Sequence, residues 1–197
     1  MGVYDKFEGE LAEKLRFHHL KDAVWLVSQY EYDIVPDGFE RTYRIMTGTE
    51  SVLDELVKLG VLYKDYYESR AYNHWFYKVP IYAGAVVEKE AEEKKMWVRN
   101  NLRELVKTDW FKDFLKWMGG PVKYIDAYEE ESVKASYKRN FDADLSELIK
   151  KGIVIIDYFP RRRRAGKRKS SPPFWMIKIT PTARDAMSEL VFELLCR

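Results

Sequence analysis

Apolar residues recur every three or four positions along much of this chain, a spacing that places them on one face of a helix. The pattern predicts amphipathic helices over residues 11–30, 37–45, 49–59, 110–118 and 132–151, with a further short helix at about 122–128. Glu and Lys interleave over residues 84–107, which predicts a solvated helix between the two halves of the chain. The protein is therefore expected to be mostly helical.

Four short stretches have a different pattern, because they are rich in Val, Ile, Tyr, Phe and Trp, as β-strands are. They lie at residues 61–67, 75–81, 153–159 and 174–180. Polar residues separate the first two and the last two, so each pair predicts a β-hairpin. Gly60 and Gly152 directly precede the hairpins and are expected to end the preceding helices, since glycine adopts the left-handed conformation there without a steric cost.

The two hairpins belong to an internal repeat. Residues 55–62 reappear as residues 147–154, an offset of 92 positions that relates Gly60 to Gly152. Residues 75–79 reappear as residues 175–179, an offset of 100. The difference, 100 less 92, means that the second copy has eight additional residues, and they fall at the tip of its hairpin.

Each half thus has three helices, a glycine at the end of the third, and a hairpin, and this order resembles the winged helix-turn-helix superfamily, in which the hairpin is the wing. The second half carries the resemblance through Gly120-Pro121-Val122 opening a helix, the helix over 132–151, Gly152-Ile153-Val154 and Ile179-Thr180-Pro181-Thr182-Ala183-Arg184. In the first half, Val79-Pro80-Ile81-Tyr82-Ala83-Gly84 replaces the threonine-proline entry to the last helix. The resemblance implies an α+β, mostly helical fold with two winged-helix domains in tandem, residues 1–84 and 109–197, joined by a long helix over residues 85–108.

Charge is unevenly distributed, although the net charge is only +2. Residues 1–80 hold 10 Lys and Arg against 14 Asp and Glu, and the remainder holds 24 against 18. Residues 160–173, in the predicted second wing, have no acid and seven cations: Arg161, Arg162, Arg163, Arg164, Lys167, Arg168 and Lys169. Mutual repulsion among these groups is relieved by a polyanion, so this wing is expected to bind double-stranded DNA. The alternative is a solvated loop or a docking patch for an acidic protein.

The third helix of the second half is the candidate for insertion into the major groove. Its first turns offer cations and an amide that can bond to base edges: Lys134, Lys138, Arg139 and Asn140. Asp142, Asp144 and Glu147 follow and would repel phosphates. Two interpretations stay open, one in which the helix docks by its N-terminal half and one in which the wing alone binds DNA.

The first half is acidic and rich in tyrosine, so it is a poor DNA reader. Arg41, Arg44 and Arg70 offer contacts to a phosphate backbone, but we expect residues 1–107 to form a homodimer or to bind a protein partner. The chain is accordingly expected to be a DNA-binding transcriptional regulator. The alternatives are an adaptor that uses winged helices to bind proteins, and a protein that binds structured RNA.

No motif in the sequence indicates an enzyme, a cofactor or a metal site. Glycine-rich phosphate loops and zinc-ligand spacings are absent from the sequence, and Cys196 is its single cysteine. The N-terminus does not resemble a signal peptide, and the longest aliphatic run, residues 153–156, is too short to span a bilayer. We expect a cytoplasmic, nucleoid-associated protein. A charged fraction of 34% with a single glutamine, Gln29, is typical of thermophilic proteins.

Overall fold

The computed structural model of the protein describes residues 3–14, 18–30, 34–68, 73–126, 129–159 and 174–195. The helices are α1 (Val3–Lys14), α2 (His18–Ser28), α3 (Pro36–Thr47), α4 (Leu53–Leu59), α5 (Gly84–Leu105), α6 (Asp109–Met118), α7 (Glu130–Ala135), α8 (Phe141–Lys150) and α9 (Pro181–Leu195). The strands are β1 (Tyr63–Glu68), β2 (Asn73–Lys78), β3 (Val122–Asp126), β4 (Val154–Phe159) and β5 (Phe174–Ile179), and a 3-10 turn spans Ile81–Ala83. The fold is α+β and mostly helical, as the sequence predicts.

The strands form two small antiparallel sheets. One is the β1–β2 hairpin, and the other has the order β3-β5-β4. A single antiparallel bridge joins Ile34 to Tyr77 of β2. In both halves, the second strand of the hairpin therefore has the first strand on one side and an upstream segment on the other.

The internal repeat extends to the register and side-chain contacts of the hairpins. The pair Tyr63↔Lys78 in one hairpin corresponds to Ile155↔Lys178 in the other. The same cross-strand ion pair and the same ring contact occur in both: Asp65–Lys78 at 2.9 Å, Asp157–Lys178 at 2.5 Å, Tyr66–Trp75 at 4.7 Å and Tyr158–Trp175 at 4.4 Å. The prediction of two related hairpins is confirmed, and the additional residues lie between Phe159 and Phe174.

The helix predicted at about 122–128 is wrong, because residues 122–126 form the strand β3. All five of these residues pair with β5, from Val122↔Lys178 to Asp126↔Phe174. Val, Tyr and Ile are residues that suit a half-buried strand. Pairing with β5 also provides backbone hydrogen bonds between strands, whereas a short isolated helix is only marginally stable. The pairing partner lies about fifty residues downstream, where a local pattern gives no indication of it.

The continuous helix predicted over 132–151 is also wrong, because the chain forms α7, a turn and then α8. Asn140 ends the turn as the N-cap of α8, where its side chain accepts a hydrogen bond from the backbone N–H of Ala143 at 3.2 Å. Within the turn, Tyr137 is buried. Burial of this ring and capping by Asn140 favour a break over a single long helix. The third helix of the first half is likewise shorter than predicted, since α4 begins at Leu53 and not at residue 49.

The two halves share one hydrophobic core. It includes Trp25 of α2, Phe39 of α3, Leu102 of α5, Phe111 of α6 and Leu148 of α8. α3 of the first half packs on β4 and α8 of the second, and α5 packs on α9. Among the described helices, none is long and apolar enough to cross a bilayer.

Candidate nucleic-acid interface

The cationic residues of the predicted second wing, 161–164 and 167–169, lie outside the described residues. The structure does describe the two strands that precede and follow them. β4 and β5 remain paired up to Phe159↔Phe174, so the segment 160–173 leaves the sheet and returns to it at one point. Its seven cations are therefore attached to one end of the three-stranded sheet, where Phe174 of β5 pairs with β4 on one side and with β3 on the other.

The other four predicted contacts lie around the α7–α8 turn and not along the first turns of one helix. Lys134 is on α7, Lys138 and Arg139 are in the turn, and Asn140 caps α8. The side chain of Asn140 is engaged in that cap, so its amide oxygen is committed to the backbone of its own helix. The prediction placed these four residues on the first turns of one recognition helix. Because they are instead divided between α7, the turn and the N-cap of α8, the contacts of each side chain have to be considered separately.

Lys134 is paired with carboxylates of its own chain. Its ammonium lies 2.8 Å from Glu130, one turn earlier on α7, and 3.7 Å from Asp142 on α8. The hydrogen bond to Glu130 raises the pKa of Lys134 above its usual value. A phosphate would have to compete with two carboxylates for this ammonium, so Lys134 is a weaker DNA contact than its charge indicates.

Arg139 neutralises a buried carboxylate. Its Nε donates to Asp144 at 3.2 Å, and the Tyr137 hydroxyl donates to the same carboxylate at 2.7 Å. Asp144 is buried, so loss of Arg139 would leave a poorly compensated negative charge below the turn. Burial, followed by the hydrogen bond to this carboxylate, raises the pKa of Tyr137 well above its usual range. Arg139 thus has a structural role in the turn, and its pairing with Asp144 makes it a weaker candidate for a DNA contact.

A cluster of aromatic rings holds the turn in place. Trp117 of α6 lies 5.6 Å from Tyr137 and 5.2 Å from Phe141, measured between ring centroids, and Phe114 lies 5.9 Å from Tyr137. The indole N–H of Trp117 donates to the Ser136 hydroxyl at 2.9 Å. These contacts fix where α8 begins and which of its faces meets solvent.

The solvent-exposed face of α8 is acidic at its start. Asp142 and Glu147 are exposed, and Lys150 is the exposed cation at the other end of the helix. A recognition helix presents its first turns to the major groove, between two rows of phosphates. Carboxylates at these positions oppose that approach, so the geometry of α8 does not favour its insertion into a major groove.

Arg41 makes a contact that the sequence did not indicate. Its guanidinium, on α3 of the first half, lies 4.9 Å from the ring centroid of Trp175 on β5 of the second half. Both residues line an open cleft whose wall also includes Lys134 and Phe141. Trp175 is adjacent to Phe174, the first paired residue after the cationic segment. The first half therefore contacts the second hairpin close to the end that carries the cationic segment. This contact joins residues 134 positions apart, which no spacing pattern could have revealed.

No family model, curated protein or solved structure matches this chain. Within the described part of the chain, no group of three or more His, Cys, Asp or Glu side chains is placed to hold a metal ion.

Proposed function

We propose that this protein binds double-stranded DNA and that the segment 160–173 makes the principal contact. The observation that carries the proposal is the pairing of Phe159 with Phe174, which attaches both ends of a segment with seven cations and no acid to the tip of one hairpin. Duplex DNA presents about one phosphate charge per 1.7 Å of axis, and a cationic segment that releases counterions from it gains affinity. Arginine adds bidentate contacts with phosphate and access to narrow minor grooves.

The element order of the second half supports a winged-helix interpretation. α6, β3, α7, α8, β4 and β5 follow one another, with the sheet order β3-β5-β4 and the hairpin in the position of a wing. The first half has the same order if the single bridge at Ile34 stands for the first strand. We propose two winged helices in tandem, of which the second is the DNA-binding one.

We further propose that binding depends mainly on the phosphate backbone and only weakly on base sequence. Asp142 and Glu147 on the exposed face of α8 oppose its insertion, and the nearby Lys134 and Arg139 are paired with carboxylates. We propose that the protein acts in transcription as a regulator associated with the nucleoid. It would then select its DNA targets by DNA shape or through a partner bound by the first half.

The test is a salt titration of binding to random-sequence duplex DNA. Replacing residues 161–164 with Ala should reduce the slope of log affinity against log salt by about 0.9 for each phosphate that the variant no longer neutralises, that is by up to about 3.6. The matched control removes four exposed lysines of α6, α8 and the α5–α6 turn, namely Lys107, Lys112, Lys116 and Lys150, and should leave the slope nearly unchanged. An equal reduction in both variants would indicate a general charge effect, and an unchanged slope in the first would refute the proposal. Competition with duplex RNA distinguishes the two nucleic acids.

A second candidate function, protein binding by the first half, is favoured by the exposed aromatic side chains of the β1–β2 hairpin. Tyr63, Tyr66 and Trp75 are 44%, 45% and 49% exposed. Tyrosine and tryptophan are enriched at protein interfaces, where large rings supply contact area at small entropic cost. Affinity capture with and without nuclease separates this function from DNA binding, because a protein partner is retained when the nucleic acid is digested.

A further inference from the structure

The two related hairpins differ in whether their outer edge is covered. The edge of β4 is closed by the first half of the chain: the backbone N–H of Ile156 donates to the Thr42 hydroxyl at 2.9 Å, and the Tyr30 hydroxyl donates to the Ile156 carbonyl at 2.7 Å. Gly38 of α3 lies so close that an added Cβ would be 2.9 Å from the Ile156 carbonyl oxygen. The unpaired backbone groups at the edge of β4 are therefore covered, and they cannot pair with a strand of another chain.

The edge of β1 has no such cover in the described part of the chain. Lys64 occupies the position that corresponds to Ile156, so its backbone N–H and carbonyl point away from β2, as do those of Tyr66 two residues later. β2 is the one described element against which β1 packs extensively. Lys64 is exposed, whereas Ile156 is buried. Among the described residues, therefore, nothing that corresponds to the cover of β4 closes the edge of β1.

The exposed side chains along this edge include an aromatic pair. The rings of Tyr66 and Trp75 are in contact, and the Lys64 ammonium lies 4.8 Å from the Trp75 ring centroid. Both rings are close to half exposed, whereas their counterparts in the second hairpin, Tyr158 and Trp175, are more covered and Trp175 is in contact with Arg41. Large rings beside an open strand edge are typical of a surface that becomes buried on association.

We propose that the edge of β1 pairs with the same edge of a second copy of this chain, so that two hairpins form one four-stranded antiparallel sheet around a twofold axis. The register that places Tyr66 opposite its own copy also places position 64 of each chain opposite position 68 of the other. Position 64 is Lys and position 68 is Glu, so each dimer has two cross-strand pairs of opposite charge. Positions 64, 66 and 68 all direct their backbone groups outward, as edge pairing requires.

Charge also argues against the register centred on Asp65 and against pairing with strands of other proteins. A shift of the axis to Asp65 would place that residue opposite its own copy, and like charges directly opposite one another destabilise a sheet. A lysine on an edge strand normally discourages pairing. Here the lysine permits pairing with a strand that has an acidic residue at the opposite position. β1 of a second copy of this chain is such a strand.

The test is sedimentation velocity of the full-length protein over a concentration series. The wild type should dimerise, and Lys64→Glu and Glu68→Lys should each weaken the dimer by about tenfold or more, because two favourable pairs become two repulsions. The double variant K64E/E68K restores opposite charges across the axis and should dimerise like the wild type. Lys58→Glu, on an exposed position of α4, is the control for charge reversal away from the edge and should leave the dimer intact.

Circular dichroism of each variant monitors folding, and the charge-swapped double variant shows whether loss of the dimer is specific. A wild-type chain that sediments as a monomer up to its solubility limit overturns the proposal. A dimer that survives both single reversals, or that the double reversal fails to restore, overturns it as well. None of these outcomes depends on whether the protein binds DNA.

Discussion

At the scale of single residues, the most constrained position is the glycine that ends α8. Gly152 has a φ of +73°, and an added Cβ would lie 2.6 Å from Cζ3 of Trp97 and 2.9 Å from Cη2 of Trp25. The two indoles come from α5 and α2, and they meet edge to face with centroids 6.0 Å apart. Glycine is thus required here for two separate reasons, the left-handed backbone and the close approach of two rings.

Gly152→Ala is therefore expected to lower the free energy of unfolding by about 3 kcal/mol or more, since it combines backbone strain with overpacking. Gly48→Ala is the matched control, because Gly48 has a φ of +76° with no heavy atom near the position of a Cβ. Backbone strain alone should cost that variant about 1–2 kcal/mol. Urea denaturation at neutral pH measures both, and equal destabilisation of the two variants would contradict the proposed contact with the tryptophans.

Single residues differ in whether local sequence or tertiary contacts determine their role. The sequence correctly predicts Gly60 and Gly152 as helix ends, since each occupies a left-handed position that local sequence specifies. It predicts Lys134 and Arg139 as cations available to DNA, but their pairing with Glu130 and Asp144 depends on how α7 and α8 fold against each other. Asn140 followed by acidic residues is an N-cap signal that could have divided the predicted helix.

At the scale of secondary-structure elements, the packing of α3 on β4 joins the two halves. Tyr30, which follows α2, and Thr42 of α3 both hydrogen-bond to Ile156 of β4. Tyr30 is buried, and burial raises the pKa of its hydroxyl well above the usual value, with a smaller contribution from Asp157 in the same direction and an opposing one from Thr42. The contact therefore requires a neutral tyrosine.

This requirement predicts a loss of stability at alkaline pH. The pKa of Tyr30 is raised in the folded state, so above about pH 10 the unfolded chain loses the proton that the native chain retains, and ionisation favours unfolding. The group should contribute a decline of about 1.4 kcal/mol per pH unit from pH 10 upward until its folded-state pKa is reached, with its contribution fully present below pH 10. Tyr30→Phe should remove the contribution of this one proton from the slope of the free energy of unfolding against pH. The variant should also be less stable at neutral pH, because it lacks the hydrogen bond to Ile156. Chemical denaturation between pH 8 and pH 12 measures it, and parallel curves for the two proteins would rule out the assignment.

At the scale of the whole molecule, the contacts between the halves are as extensive as those of a single core. α3 packs on β4 and α8, α5 packs on α9, and two tryptophans of the first half and the connecting helix meet Gly152 of the second. The boundaries proposed from sequence, residues 1–84, 85–108 and 109–197, stay a prediction. The shared core suggests that the two halves fold together.

We expect a single cooperative unfolding transition for the full chain. Tryptophan fluorescence and far-ultraviolet circular dichroism should give coincident curves, because Trp25 lies in the one core that both halves share. The separate fragment 109–197 should be far less stable than the full chain, since the edge of β4 and one side of α8 would be exposed to water. Two resolved transitions, or a fragment as stable as the full chain, would instead indicate independent domains.

The amino-acid sequence alone determined the repeat, the hairpins, the glycine-ended helices and the concentration of cations in one segment, because periodicity, turn chemistry and charge are properties of neighbouring residues. Only the tertiary structure decided that residues 122–126 are a strand, that Lys134 and Arg139 are paired with carboxylates, and that α3 covers the edge of β4 while no described residue covers the edge of β1 in the same way. The last difference separates two related hairpins. It depends on contacts between residues more than a hundred positions apart, such as Thr42 with Ile156, and a local pattern carries no information about which distant surface will meet it.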